Sequence, residues 1–244
     1  MSWLTQAVSS LAALFGRPAT RLPVRLNHDQ PFPDPHFADD DGLVAVGGDL
    51  SVPRLLAAYS SGIFPWYDEG LPILWWSPGS RAIFDLATFT SPKRLARTAR
   101  QRGFETRFDT SFAAVMRGCA ERDEGTWITR DILQGYQHLH RAGFAHCAET
   151  WQDGELVGGV YGVSIGGLFA GESMFTRVSD AGKYALCALI ERLRERGYVL
   201  FDSQILNPHT ASLGAIEISR DDYLGRVRKA IQLPVTFGEQ PNVR

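Results

Sequence analysis

The stretch FAHCAETWQDGELVGGVYGVSIGGLFAGESMF, Phe144 to Phe175, decides the fold. Its apolar runs are separated by Asp153-Gly154 and Gly166-Gly167, dipeptides that reach positive φ at little steric cost and predict hairpin turns. The reading is three successive strands. Downstream, Leu186, Leu189, Ile190 and Leu193 line one face of a helix over 181–196 that Gly197 ends. YVLFDSQ, Tyr198 to Gln204, then reads as a buried strand. A strand meander followed by helix and strand predicts an α+β domain with a mixed sheet.

Working back toward the N-terminus, Ile132, Tyr136 and Leu139 mark a helix over 130–142. SPKRLARTARQRG predicts a short helix between a Ser-Pro start and Gly103. Residues 22–80 are rich in Pro, Gly and aromatics, and only LSVPRLLAAYSSG reads as a helix there, with Pro53 in its first turn and Gly62 as its stop. The expected division is an N-terminal extension over 1–21, a small loop-rich domain over 22–80 and a larger domain over 81–244. The extension, MSWLTQAVSSLAALFG, reads as amphipathic, with Trp3, Ala7, Leu11 and Leu14 on one side. It lacks Lys or Arg before Arg17 and has no A-x-A site, so it does not read as a signal peptide.

The chain of 244 residues is 44% hydrophobic and 21% charged, an ordinary globular composition. No apolar run approaches the ~20 residues needed to span a bilayer. A net charge of −2 excludes a general polycation, so nucleic acid would have to be met by a local patch. Cys119, Cys147 and Cys187 are far apart, as in a cytoplasmic protein with reduced thiols. His28, His36, His138, His140, His146 and His209 form no metal-binding spacing, and His146 reads as a packed, hydrogen-bonded group. GVSIG, Gly162 to Gly166, matches a nucleophile elbow with Asp202 and His209 in hydrolase order. Ser164 precedes a hairpin rather than a helix, so the match is accidental. GGVYG and GGLFAG lack the Walker lysine and read as hairpin and bulge glycines.

Other features call for a ligand. No acidic residue lies between Leu86 and Phe104, while Lys93, Arg97 and Arg100 share a helical face, joined by Arg94 and Arg102. A stripe of one sign favours an anionic partner over a solvated face. Trp66, Trp75, Trp76, Trp127, Tyr67 and Tyr136 fit core packing and base stacking equally well. Glu172 interrupts the apolar LFAGESMF. Asp202 and Gln204, two residues apart on a strand, are expected to turn to the same face. Burying such groups costs several kcal/mol unless they are partnered, so a polar cluster floored by apolar side chains is expected.

The blocks GLVAVGGDL, AYSSGIFPW, LWWSP, GTWITRDILQGYQHLH, LVGGVYGV, LFAGESMF and FDSQILNPHTASLGA resemble, in order and spacing, the bacterial leucyl/phenylalanyl-tRNA–protein transferases. The resemblance runs from about Phe32 to about Leu224. It implies transfer of Leu or Phe from Leu-tRNA or Phe-tRNA to the N-terminal α-amino group of proteins beginning with Lys or Arg, tagging them for degradation. It also implies an acetyltransferase-like (GNAT) fold for the larger domain. Carried over by position, Asp202 and Gln204 form the catalytic pair, with Glu172 beside them. Trp66, Trp127, Tyr136 and Glu172 hold the 3′-terminal adenosine. Val160, Phe169, Met174, Leu189 and Phe201 form the Leu/Phe side-chain pocket. The basic helix over 93–102, with Lys93, Arg94, Arg97 and Arg100, falls as a whole, rather than residue by residue, where the family contacts the tRNA backbone. The family's A-S-K reads Ala181-Gly182-Lys183 here, which bears on helix capping, and its P-x-P-R reads Pro78-Gly79-Ser80-Arg81; neither touches an assigned residue. No cofactor, metal or membrane partner is expected, and the protein is expected to be a cytoplasmic monomer.

The implied donor is an ester, already activated. An α-amine has a pKa of about 7.7–8.0, so part of it is neutral near pH 7, and the enzyme mainly has to align the reactants. Gln204 is expected to accept a hydrogen bond from the amine while Asp202 orients it; Asp202 as direct general base is the rival. An acyl-CoA N-acyltransferase would need a pantetheine-binding turn before residue 181, and none is present. A cell-wall aminoacyl transferase would differ by acceptor. A catalytically inert tRNA-binding module has no use for a buried Asp-x-Gln.

Overall fold

A computed structural model describes residues 23–27, 30–121 and 125–238. The extension expected over 1–21 and His28 lie outside the described residues.

Strands β1 (Val24–Leu26), β2 (Leu43–Gly47), β3 (Phe64–Pro65) and β4 (Leu74–Trp76) form a sheet of order β1-β2-β4-β3, and helix α1 (Val52–Ser60) follows β2. The expected loop-rich region therefore contains a sheet. Its strands are two to five residues long, too short for an alternating pattern to register.

The second sheet has seven strands: β5 (Ser80–Phe84), β6 (Glu105–Phe108), β7 (Ala145–Gln152), β8 (Glu155–Ile165), β9 (Leu168–Thr176), β10 (Leu200–Gln204) and β11 (Ile216–Ser219). Their order is β11-β5-β10-β9-β8-β7-β6, antiparallel throughout except for the parallel β9–β10 pair. The expected mixed sheet is thus present, and β7 to β9 are the three strands of the meander. Asp153 (φ 51°) and Gly154 (φ 80°) make the first turn and Gly166 (φ 53°) the second.

Helices α2 (Lys93–Arg102), α3 (Phe112–Ala120), α4 (Arg130–Arg141), α5 (Ala181–Glu195), α6 (Pro208–Ser212) and α7 (Arg220–Ala230) complete the fold. The sequence reading finds α2, α4 and α5 but assigns nothing to α3 or α7. FAAVMRGCA is short, apolar almost all round and interrupted by a glycine, so it shows no clear helical period, and RDDYLGRVRKA is mostly charged, so its apolar stripe is thin. On one face of the large sheet, Ala185, Leu186, Leu189 and Ile190 of α5 pack against Val160, Phe169 and Phe201. On the other, Phe112 and Met116 of α3 and Tyr136 of α4 join Tyr161 and Phe175 in a core that includes Tyr59 and Trp75 of the small sheet's region. Beside them, Tyr223 and Leu224 of α7 cover Ile83, Leu168 and Leu200.

The glycines of GGVYG serve closeness rather than a turn. A Cβ on Gly158 would stand 2.6 Å from the Ala181 carbonyl carbon, and one on Gly182 would stand 2.3 Å from Thr176 Oγ1. The first turn of α5 presses on β8 and β9 there, so the departure at Gly182 bears on packing. The cap of that helix, Asp180, makes no side-chain cap bond.

Candidate active site

The parallel ladder between β9 and β10 runs from Leu168 and Leu200 to Ala170 and Asp202 and ends there. Beyond that point each strand breaks its alternation. In β9, Gly171 pairs with Gly162 and Ser173 with Tyr161, so Glu172 is the extra residue of a bulge. In β10, the pairing with β5 shifts between Asp202 and Gln204, and Gln204 takes a left-handed φ of 63°. The expectation that Asp202 and Gln204 share a face is thereby corrected. Asp202 turns with Leu200 toward α7, whereas Gln204 lines a cleft together with Phe201 and Ser203.

Asp202 is 0% exposed and its partner Arg81 on β5 is 1% exposed. Arg81 donates from Nε to Asp202 Oδ1 at 2.9 Å and from Nη2 to Oδ2 at 2.6 Å, a two-pronged grip. The Tyr223 hydroxyl donates to Oδ2 at 2.7 Å, and the Gln204 backbone N–H donates to Oδ1 at 2.8 Å. The guanidinium lies 4.6 Å from the Phe64 ring and 4.4 Å from the Tyr223 ring. Burial on its own would lower the Arg81 pKa; the charge of Asp202 reverses that and leaves it raised. These bonds are the partners that burial of the carboxylate demands.

Glu172 is held differently. Its Oε1 accepts from Tyr59 OH at 2.7 Å and from Gln204 Nε2 at 2.8 Å, and its Oε2 accepts from Tyr136 OH at 3.1 Å. The two tyrosine hydroxyls also lie within hydrogen-bonding reach of each other, so their two protons are shared among three contacts. Burial pushes Glu172 up to about 7, against the tyrosine bonds that favour its ionised form. Burial and the Glu172 charge raise both tyrosines well above 10, so they stay protonated donors. With its nitrogen committed to a carboxylate, the Gln204 amide turns its oxygen away from Glu172.

Both residues border a cleft of about 570 Å³. Val160, Met174 and Phe201 line it, joined by Phe84 and Leu186, which the sequence reading leaves out of the pocket. Phe169 and Leu189 are fully buried behind this floor. Trp66 and Trp127 are half-buried in its walls. Trp76 donates from Nε1 to the Trp66 carbonyl at 2.7 Å and so pins that loop. Tyr136 is fully buried and meets the site only through Glu172; Trp75, Trp76 and Tyr67 belong to the core. Lys93, Arg94, Arg97 and Arg100 are exposed on α2, which packs on α5.

Other sequence signals resolve away from catalysis. Ser164 bonds Tyr198 OH at 2.5 Å and is not among the residues lining the cleft, whereas His209 is, so the two form no hydrolase pair. His146 bonds Asp109 at 2.7 Å and stacks on Phe237. Among the described residues, no group of three or more His, Cys, Asp or Glu could hold a metal, and no helix is long and apolar enough to cross a membrane. Arg81, Tyr223 and Tyr59 escape the sequence reading. A buried Asp202 demands a cation, yet sequence does not say which one, and Ser80, which stands where the family has proline, adjoins Arg81 after all.

The family model described as leucyl/phenylalanyl-tRNA protein transferase matches residues 83–228, and the model of its N-terminal domain matches residues 48–79. The leucyl/phenylalanyl-tRNA–protein transferase of Solidesulfovibrio magneticus is 50% identical over 214 residues, covering 86% of this chain and 87% of that one. Its counterpart in Sulfurimonas denitrificans is 48% identical over 212 residues, covering 85% and 92%. Among solved structures, FemX is similar over 69% of this chain and 66% of its own, with 12% identity and a TM-score of 0.44. L-PGS from Bacillus licheniformis is similar over 67% and 53%, with 16% identity and a TM-score of 0.38. The protein is an aminoacyltransferase that acts from tRNA to protein. It belongs to the leucyl/phenylalanyl-tRNA–protein transferase family.

Proposed function

We propose that the cleft takes the 3′ end of Leu-tRNA or Phe-tRNA and passes the aminoacyl group to the N-terminal amine of proteins beginning with Lys or Arg, marking them for degradation. The observation that carries this reading is the Gln204–Glu172 pair, bonded at 2.8 Å beside an apolar cleft. Val160, Met174 and Phe201 receive the Leu or Phe side chain, backed by Phe169 and Leu189. Trp66 and Trp127 flank the terminal adenosine, and Tyr136 supports it through Glu172. Lys93, Arg94, Arg97 and Arg100 hold the tRNA backbone.

In the reaction, the neutral α-amine attacks the ester carbonyl carbon. A C–N bond forms, the C–O bond to the ribose breaks, and the amine's surplus proton ends on the ribose oxygen. The Gln204 side-chain oxygen accepts a hydrogen bond from the attacking amine and aligns it. Asp202 orients Gln204 through its backbone N–H. Sealed against Arg81, it is badly placed to be the general base. Glu172, whose named partners here are all neutral donors, suits the ammonium as it forms. An apolar pocket separates Leu and Phe from β-branched residues by only ~1–3 kcal/mol per methylene, so selectivity is incomplete.

The test is transfer of labelled Leu from Leu-tRNA to peptides beginning with Arg or Ala, with acetyl-CoA as competing donor. Label on the Arg peptide, lost in Gln204→Ala, is the expected result. Transfer only from acetyl-CoA overturns the donor, and equal labelling of the Ala peptide overturns the acceptor.

A further inference from the structure

Gln204 holds a backbone conformation that costs free energy for any residue but glycine, and such a conformation persists only where the surroundings impose it. The imposing bond runs from the Gln204 N–H to Asp202 Oδ1, two residues back along the chain. That oxygen also accepts from Arg81 Nε, while Arg81 Nη2 and Tyr223 OH hold the other carboxylate oxygen. A carboxylate gripped at both oxygens cannot rotate away from the N–H it holds. Arg81 is fixed in turn by the Phe64 and Tyr223 rings and by a bond from Nη1 to the Gly62 carbonyl at 3.3 Å. A lysine would supply the charge without the planar fork. At 1% exposure, Arg81 is shut off from any tRNA or peptide.

We infer that Arg81, with Tyr223, is a positioning residue for aminoacyl transfer: it clamps Asp202 so that Asp202 holds the left-handed turn aiming the Gln204 amide at Glu172. Through Phe64 and Gly62, the small sheet and its approach are thereby part of the catalytic geometry. The inference rests on the proposed role of Gln204, and the two are separable by experiment.

Arg81→Lys and Tyr223→Phe are made singly and in a Gln204→Ala background, with folding followed by thermal melts and transfer read as kcat and KM for Leu-tRNA. A displacement of the order of an ångström in an aligned group costs about 100-fold, so Arg81→Lys is expected to lower kcat by about that factor and Tyr223→Phe by less. KM for Leu-tRNA should stay within about twofold, because no group that meets the donor is removed. In the Gln204→Ala background neither substitution should reduce the rate further, since both act through that side chain. A general structural role predicts instead that the losses multiply in that background, and that result overturns the inference. So does wild-type kcat in Arg81→Lys. Should Arg81→Lys fail to fold, Tyr223→Phe, which deletes one hydroxyl, completes the same cycle. Wild-type turnover in Gln204→Ala alone overturns the role of Gln204 and this inference with it; loss there combined with multiplying losses overturns the inference only.

Discussion

Asp202 and Glu172 stand on neighbouring strands, and their surroundings treat the two carboxylates in opposite ways. Asp202 is sealed on the α7 side and neutralised by an arginine gripping both oxygens. Glu172 borders the cleft among hydroxyls and an amide, with its pKa pushed up to about 7 by burial. The difference shows how one splayed strand pair serves two ends. A fixed charge on the α7 side shapes the backbone, and a responsive one borders the cleft proposed to receive the reactants.

Removing each acid in turn should separate the two surroundings most strongly. Asp202→Ala leaves Arg81 buried without its counter-charge and should destabilise the fold by about 3–5 kcal/mol in urea unfolding. Glu172→Gln keeps the shape and the acceptor facing Tyr59 and Gln204, replaces the acceptor facing Tyr136 by a donor that the rotatable hydroxyl can turn to accept, and should cost about 1 kcal/mol. Equal losses would mean that the two carboxylates are not held differently.

The two carboxylates also differ in proton linkage. The folded Glu172 binds its proton more tightly than the ordinary carboxylate value of 4.5 allows in the unfolded chain. Its contribution to stability is therefore fully present below about pH 4.5 and lost as pH rises through about 7. Wild type should lose stability relative to Glu172→Gln across that window in melts at stepped pH. Parallel profiles would place Glu172 in effectively aqueous surroundings. Tyr136→Phe removes a bond that favours the ionised form, so the window should move upward, by a smaller effect in the same melts.

The smallest effect on stability belongs to the basic helix, far from both acids in role. Replacing Lys93, Arg97 and Arg100 by Ala should leave the melting temperature nearly unchanged, while flattening the salt dependence of tRNA binding by about 0.7–0.9 in log–log slope per lost phosphate contact. An unchanged slope would return those residues to an ordinary solvated face.

Much of the fold was legible because long elements carry strong periodicity. The eleven residues of β8 and the fifteen of α5 announce themselves, as do the turns at Asp153-Gly154 and Gly166-Gly167. The two- and three-residue strands around Trp66 and Trp75 do not, because two residues hold no period. Within the site, Glu172, Asp202 and Gln204 stood out as polar groups in apolar strands. The sense in which they act together did not, since a bulge at Glu172 and a left-handed Gln204 overturn the alternation that predicts their faces.

From the amino-acid sequence alone it follows that buried polar groups near Glu172 and Asp202 must find partners, because desolvating them unpaired is costlier than a fold of this size can bear. The meander, the helix that covers it and, through the motif blocks, the family follow from it as well. That the partners are Arg81, Tyr223, Tyr59 and Tyr136 follows from the folded arrangement. Those residues stand 21 to 121 positions from Asp202 and 36 to 113 positions from Glu172 along the chain. Hydrogen bonds and charge act over ångströms in space, and it is the folding of one sheet against another that brings such distant residues within that reach.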